Sequence, residues 1–372
     1  MYIWVVKPSK KQGEPMSTLQ VERPQTEDAL REFIRLYEQV YAARSAYWRP
    51  AVRFEMAVLT GASAFNKDRV IRPFVVRDNG KVVARVLAVK DGRYQRHWNE
   101  LLGHLCWFEA LPNTREAVRL LFGEACDWLQ SNGASAARVG HGLLEFPFVI
   151  DAYDTLPPNV LRANPPYYHA LLKDAGCEIE KGFVDYQIAV RPELVTRWRR
   201  MLEATQRAGY EIVPLREVPE SRRVREFVAT FNDTFQAHWG WTPYSEEEMA
   251  GLLTALAKIG TLDTSVLTYR AGRPVGMLLL VPEHSTDAVV RSGRTLQAHE
   301  RLNVLAIGVC ASDRSRGVNL AMASYGFLQL VDRGASYVSY TLVLDDNWPS
   351  RRTAEKLGAF VCANYVAYRR RF

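Results

Sequence analysis

The stretch LNVLAIGVCASDRSRGVNLAMASYGFLQLVDRG, residues 302–334, predicts three successive elements. It opens with an apolar run rich in β-branched residues, which favours a buried strand. A short polar segment interrupts this run, and an apolar pattern of helical period follows. This part of the chain is therefore expected to form a strand, a polar loop and a helix.

The loop between these elements, RSRGVN at 314–319, has the composition of an anion-binding turn. A helix N-terminus presents free backbone N–H groups and a partial positive charge, which together hold phosphate oxygens. Glycine lets the backbone approach closely, and flanking arginines add charge-assisted hydrogen bonds. The loop fits neither the GxxxxGKS/T nor the GxGxxG pattern, and a solvated surface turn is the alternative interpretation.

The chain repeats one order of elements. A strand, a turn and an amphipathic helix are predicted from Leu19 and again from Tyr210. A hairpin follows in each copy, with its turn at DNG (78–80) or AGR (271–273). A strand, a helix and another strand then complete each copy.

Both copies also close alike, with a segment that starts at Asn, runs through a helix to Gly and ends in a strand. Gly176 and Gly358 suit a left-handed helix stop. The repetition predicts an α/β protein with mixed sheets, built as two tandem units. The expected division is a tail at 1–15, a first unit at 16–190, a linker at 191–208 and a second unit at 209–372.

The second unit resembles the GNAT superfamily of acetyl-CoA-dependent N-acyltransferases. The resemblance rests on the strand, the R-x-x-G-x-small loop and the helix, followed by a strand and N-x-x-S-x6-L-G-A. Arg314, Gly317 and Asn319 occupy the loop positions, and Asn is a departure from the small residue of the family. The resemblance implies two binding surfaces for acetyl-CoA. The backbone at Arg316, Gly317, Val318 and Asn319 would bind its diphosphate, and the strand edge at Gly308 and Val309 would contact its pantetheine, with Asn347 also at the coenzyme site.

The first unit resembles the superfamily as a fold only. Its equivalent junction, FEALPNTREAVRLL, lacks the loop glycine, and Pro112 removes a backbone donor. Glu109 and Glu116 bracket the place where a diphosphate would lie. We therefore expect a degenerate first unit that does not bind coenzyme A.

Three residues are the candidates for the reaction. Amine acylation needs a group that accepts the amine proton and often an acid for the leaving thiolate. The position at which relatives carry a basic Glu falls at Asn303, which could hold a water that relays the proton to Glu300 or His299. The position of the family's acidic Tyr holds Ala354, so Tyr340 is the proposed substitute, with Tyr365 and Tyr368 as further candidates.

Two aromatic segments are candidates for the acceptor site. HWGWTPYSEEE, at 238–248, places Trp239, Trp241 and Tyr244 where relatives build the acceptor pocket, although such residues also cap cores. The long irregular segment 142–169 is a second candidate wall, with packing between the units as the alternative.

Composition excludes several classes of protein. The chain has 372 residues, which is more than a domain with one hydrophobic core usually contains. No apolar run approaches the ~20 residues that a membrane-spanning helix needs. Five scattered cysteines predict a reducing cytoplasm and no metal site. The net charge of +7 suits phosphorylated ligands, and a nucleic-acid partner is not favoured because most of this charge is interleaved with acidic residues.

Three functions follow as hypotheses. The first is an N-acetyltransferase that uses acetyl-CoA and a small-molecule or peptide amine. The second is a Fem-type transferase, which pairs two GNAT-like units and takes an aminoacyl group from tRNA; the RSRGVN loop favours coenzyme A over it. The third is a non-catalytic acyl-CoA or ligand-binding module.

Overall fold

The computed structural model describes residues 19–43, 51–142, 144–154, 161–282 and 302–372, and the predicted tail at 1–15 lies outside them. The elements of the first half are β1 (Leu19–Glu22), α1 (Glu27–Val40), α2 (Val52–Leu59), β2 (Arg69–Asp78), β3 (Lys81–Asp91), α3 (Gly92–Trp98), β4 (Leu102–Ala110), α4 (Arg115–Ser131), β5 (Ala136–Val139), β6 (Phe148–Val149), α5 (Tyr168–Asp174) and β7 (Glu178–Ala189). Those of the second half are α6 (Pro192–Arg207), β8 (Tyr210–Pro214), α7 (Glu220–Phe235), α8 (Glu246–Lys258), β9 (Val266–Arg270), β10 (Arg273–Pro282), β11 (Leu302–Val309), α9 (Val318–Val331), β12 (Tyr337–Leu344), α10 (Trp348–Leu357) and β13 (Phe360–Arg371).

The two halves pair their strands in the same way. In the first half β1, β2, β3 and β4 are antiparallel neighbours, and β4 runs parallel to β5. In the second half β8, β9, β10 and β11 are antiparallel neighbours, and β11 runs parallel to β12. The tandem arrangement predicted from the repeated pattern is therefore present in the sheet.

The closing strands are exchanged between the halves. β7 pairs with β12 of the second half, and β13 pairs with β5 of the first half. β7 and β13 also pair with each other. One continuous sheet results, in the order β1-β2-β3-β4-β5-β13-β7-β12-β11-β10-β9-β8. Backbone hydrogen bonds thus join the two halves. The division at 190 and 209 separates two stretches of sequence, but it does not separate two sheets.

The range predicted as a linker, 191–208, contains α6. Proline at its first position favours a helix start. Trp198 is fully buried, and its Nε1 donates to the carbonyl of Leu357 at 3.0 Å. Trp198 and Leu194 belong to the core of the second half, so this segment is a packed helix.

Helices cover both faces of the sheet. In β2, Phe74 and Val76 pack with α4, whereas Val75, on the opposite face, packs with α1. The second half repeats the arrangement, since α9 and α7 lie on opposite faces of β10. Alternating side chains along each strand thus build a core on either side of the sheet.

Candidate active site

A cavity lies where β11 and β12 separate. These strands pair only at 302–304 with 338–340, and beyond these residues they diverge. A cavity of about 900 Å³ occupies the opening, and residues of both strands line it. The pairing of the sheet therefore creates the site.

β11 carries an extra residue at this cavity. Residues 279 and 280 of β10 pair with Ala306 and Val304, so Leu305 has no partner in β10. Two residues opposite one form a β-bulge, which bends the strand and increases its twist. Leu305 and Ala306 both line the cavity, so the bulge changes the course of the strand at the site.

The N-terminus of α9 opens into the same cavity. Gly317 is the N-cap residue at φ +80°, and no side chain caps the helix. Val318 and Asn319 in the first turn line the cavity. A Cβ atom at Gly317 would meet nothing closer than Thr205 Oγ1 at 3.7 Å. The first amides of α9 are thus left for a ligand, as an anion site requires.

Asp313 holds the loop before α9 in place. Its buried carboxylate accepts hydrogen bonds from Tyr210 Oη at 2.9 Å, Arg270 Nη1 at 3.1 Å and Ser312 Oγ at 2.6 Å. The hydrogen bond from Ser312 is the largest of the contributions that lower the pKa of Asp313 below its ordinary value. The carboxylate thus anchors the loop to β8 and β9.

The predicted coenzyme-binding residues are brought together with one exception. Those that line the cavity are Gly308, Val309, Arg314, Gly317, Val318, Asn319 and Asn347. Arg316 is exposed and lies outside the lining. Gly308 is needed for close packing, since a Cβ atom there would lie 2.3 Å from Thr234 Oγ1.

α10 completes the side of the cavity that α9 begins. Arg352 and Lys356, which sequence analysis missed, line it from this helix. Asn347 caps α10 by accepting from the backbone N–H of Ser350 at 3.3 Å. Asn319 Nδ2 donates to Thr353 Oγ1 at 2.7 Å, so the residue that departs from the family pattern joins α9 to α10.

The opposite end of the cavity is aromatic. Trp241 and Tyr244 line it, together with Phe231 and Phe235 of α7. Trp239 does not line the cavity, and the guanidinium of Arg138 from the first half lies 4.1 Å from the centre of its ring. The first half adds His141, Gly142 and Phe146 to the lining, so part of the segment predicted as a wall does lie at this site.

Helix α3 of the first half holds the loop that carries Trp241 and Tyr244. Trp98 Nε1 donates to the carbonyl of Trp241 at 2.7 Å, and Arg93 Nη1 donates to the carbonyl of Pro243 at 2.9 Å. Arg93 also pairs with Glu248, the capping-box residue of α8, at 2.6 Å. The aromatic end therefore depends on both halves.

The three predicted catalytic residues have different positions. Tyr340 lines the cavity, hydrogen-bonds Ser350 Oγ at 2.9 Å and has its pKa raised by burial to about 12. Asn303 is fully buried, accepts from Thr341 Oγ1 at 3.3 Å and does not line the cavity. Glu300, like His299, lies outside the described residues.

In the first half the equivalent opening is filled by the chain itself. Glu145 accepts from the backbone N–H of Trp107, which lies in the irregular part of β4. Arg162 donates to the carbonyl of Phe108 and pairs with Glu109 at 2.7 Å and with Glu145 at 2.6 Å. A buried ion-pair cluster of Glu109, Glu145 and Arg162 thus occupies this position.

Comparison with known proteins agrees with the geometry. A model of the GNAT acetyltransferase domain matches residues 6–102. The tandem GNAT protein of the clavulanic acid biosynthesis pathway is 12% identical, with a TM-score of 0.56 over 95% of this chain and 98% of that one. Residues 6–102 thus match a GNAT domain, and the chain as a whole shares the fold of GNAT proteins. The predicted α/β class and tandem GNAT arrangement are confirmed.

Two further similarities extend the comparison. The glucosamine N-acetyltransferase region of a fungal multi-domain β-N-acetylglucosaminidase is 15% identical, with a TM-score of 0.59 over 95% of this chain and 38% of that one. Protein YghO of Escherichia coli (strain K12) is 24% identical over 220 residues, or 55% of this chain and 53% of that protein. The chain thus spans about half the length of this curated relative.

The family match and the candidate site fall in different halves. The match covers much of the first half, whereas the uncapped helix α9 lies in the second half. Among the described residues, no helix is long and apolar enough to cross a membrane, and no group of three His, Cys, Asp or Glu could hold a metal ion.

Proposed function

We propose that this chain transfers an acetyl group from acetyl-CoA to the amine of a small molecule or peptide. The observation that carries the proposal is that the uncapped N-terminus of α9 opens into the same cavity as the bulged β11 and the aromatic end. One end offers backbone amides and cations, and the other offers aromatic surface. This combination suits a donor that carries phosphate and an organic amine acceptor.

The coenzyme would lie along the side built by β11, α9 and α10. The amides of Gly317, Val318 and Asn319 would bind its diphosphate, with Arg314, Arg316 and Arg352 adding charge-assisted hydrogen bonds. Pantetheine would follow Gly308 and Val309, and Asn347 would fix the start of α10 beside it. The acetyl group would then reach the bulge at Leu305.

In the reaction, the amine nitrogen attacks the thioester carbonyl carbon, a C–N bond forms and the C–S bond breaks. Tyr340 is the group that we propose as the acid for the departing thiolate. Tyr340 lines the cavity, and its hydroxyl keeps its proton at neutral pH, since burial raises its pKa to about 12. We infer a reducing cytoplasm as its compartment, because all five cysteines are free thiols.

We expect coenzyme A to bind at one site per chain. The opening in the first half is filled by the cluster of Glu109, Glu145 and Arg162, and its carboxylates would repel a diphosphate. Isothermal titration calorimetry with coenzyme A measures the stoichiometry directly. Two sites per chain, or binding that survives loss of the loop at 314–319, would contradict the proposal.

Replacing Arg316 by Ala should weaken coenzyme A binding moderately. One hydrogen bond to a charged group contributes about 1.5–3 kcal/mol, or about ten- to hundred-fold in affinity. Because Arg316 is exposed, salt should screen the contact, and the difference from the native protein should shrink at high salt. Arg371→Ala, at an exposed arginine outside the cavity lining, is the matched control.

A thioester assay separates this function from the other two hypotheses. Acetyl-CoA and an amine should release free thiol without tRNA. A strict requirement for aminoacyl-tRNA would indicate Fem-type transfer, favoured only by the net charge of +7. Coenzyme A binding without thiol release across a broad amine panel would indicate a binding module.

A further inference from the structure

The loop between α7 and α8, residues 236–245, forms much of the aromatic end of the cavity. Its members in the lining are Ala237, His238, Gly240, Trp241, Thr242 and Tyr244. Asn232 of α7 anchors one end of the loop, since its side-chain amide exchanges hydrogen bonds with the backbone of Tyr244 at 2.9 and 3.2 Å. Binding residues are often carried on loops that a rigid scaffold positions, so the contacts that fix this loop bear on what the cavity binds.

Three side chains of α3, in the first half, hydrogen-bond backbone carbonyls of this loop. The pairs are His97 with Gln236 at 2.6 Å, Trp98 with Trp241 at 2.7 Å and Arg93 with Pro243 at 2.9 Å. The ring of His97 also packs edge-on against the indole of Trp241, with centroids 5.5 Å apart. Because the three carbonyls are spread along the loop, α3 fixes its course from its first residue to the one before Tyr244.

A buried ionic network joins α3 to the start of α8. Glu248 accepts from Arg93 Nη1 at 2.6 Å and from Arg69 Nη1 at 2.7 Å. The same carboxylate accepts from the backbone N–H of Ser245, the last residue of the loop, at 2.9 Å. Burial alone would raise the pKa of Glu248, but the hydrogen bonds from Arg93 and Ser245 and the charge of Arg69 hold it below its ordinary value. Glu248 therefore stays ionised and ties the end of the loop to the first half.

These side chains of the first half act on the cavity only through the loop. Arg69, Arg93, His97 and Trp98 lie outside the cavity lining. The opening within the first half is itself filled by its buried ion-pair cluster. The part of the first half that bears on a ligand in the second half is therefore the set of contacts that fixes the aromatic end.

We propose that the first half of the tandem sets the affinity for the acceptor, and that Arg93 and Trp98 are positioning residues that hold the loop 236–245 in its binding geometry. This inference rests on the proposed acetyl transfer. An amine that meets a preordered wall spends less free energy on ordering the protein than one that must order the wall on binding. Releasing the loop should thus weaken acceptor binding and leave the side built by β11, α9 and α10 unchanged.

Two variants release the loop to different extents. Trp98→Phe keeps an aromatic ring and removes the donor to the carbonyl of Trp241. Arg93→Ala removes the donor to Pro243 and one guanidinium partner of Glu248. With acetyl-CoA and 2-phenylethylamine, KM for the amine should rise about three-fold in Trp98→Phe and about ten-fold or more in Arg93→Ala, with kcat within about two-fold of native.

Hydrogen exchange followed by mass spectrometry measures the loop itself. Peptides that cover 236–245 should exchange faster in both variants, whereas peptides from α9 should exchange as in the native protein. Calorimetry of the same variants should give native affinity for coenzyme A. A general loss of stability would instead raise exchange in α9 and weaken coenzyme A binding as well.

Arg96→Ala is the matched control. Arg96 lies on the same helix, its side chain is 67% exposed, and it pairs with Asp68 at 3.4 Å. An exposed pair contributes about 0–1 kcal/mol, so this variant should keep the native KM, coenzyme A affinity and exchange.

The inference is overturned if both variants keep the native exchange of 236–245, or if that exchange rises while KM for the amine stays native. It is also overturned if kcat and coenzyme A affinity fall together with the rise in KM, because the two residues would then support the whole site. A native protein that neither binds coenzyme A nor releases thiol would overturn the proposed function, and the exchange of 236–245 would still show whether α3 holds the loop.

Discussion

Replacing Gly317 by Asp should weaken coenzyme A binding more than about 100-fold while the fold survives. The two amides at the start of α9 would each lose a hydrogen bond to phosphate of about 1.5 kcal/mol or more, and the carboxylate would repel the diphosphate. The protein itself has room for the side chain, since the nearest atom to an added Cβ lies 3.7 Å away. Calorimetry and thermal melting of the same variant measure the two effects.

Gly272→Asp is the matched control for this substitution. Gly272 has φ +73° in the turn between β9 and β10, and no atom lies within 4 Å of an added Cβ. Both variants therefore place Asp at a positive φ, and both should show the same modest backbone strain. The loop has no ligand-binding role if Gly317→Asp lowers the melting temperature like the control and retains native affinity.

Replacing Arg162 by Ala should lower the free energy of unfolding by about 3–5 kcal/mol. The change leaves Glu109 and Glu145 buried without their guanidinium partner, and breaking a buried ion pair on one side costs about this much. Arg162 also donates to the carbonyl of Phe108, so a backbone acceptor loses its partner as well. Denaturant unfolding at neutral pH measures the loss.

The deficit of this variant should depend on pH. Burial raises the pKa of Glu109 above its ordinary value even beside Arg162. Without the guanidinium this carboxyl should take up a proton more readily in the folded state, and a protonated carboxyl is less costly to bury. Because the folded state then binds more protons than the unfolded one, the deficit should be smaller near pH 5 than near pH 8.

Arg115→Ala is the control for the Arg162 variant. Arg115 pairs with Asp174 at 2.7 Å, but its side chain is 65% exposed. An exposed pair contributes about 0–1 kcal/mol, so this variant should be close to native. A similar small loss in Arg162→Ala would mean that the cluster in the first half does not hold that opening closed.

The local parts of the fold were predictable because their signals lie within short windows of sequence. The apolar run at 302–309 and the helical period after Gly317 predicted β11 and α9, and the repeated order predicted the tandem. Gly317 adopts a positive φ at the start of α9, a conformation that glycine takes without steric cost. The segment 191–208, predicted as the linker between the units, contains the helix α6, whose Leu194 and Trp198 pack in the same core as α9.

The amino-acid sequence by itself determined the element order, the turn glycines and the loop at the start of α9, since these depend on residues close together in the chain. Only the tertiary structure decided the exchange of β7 and β13. The apolar pattern of each strand would be the same whether it paired with β5 or with β12. That exchange joins the halves, and it is accompanied by the approach of His141 to Gly240. Nothing in the local pattern of Gly-His-Gly after β5 encodes that distant partner, since the contact depends on long-range strand pairing.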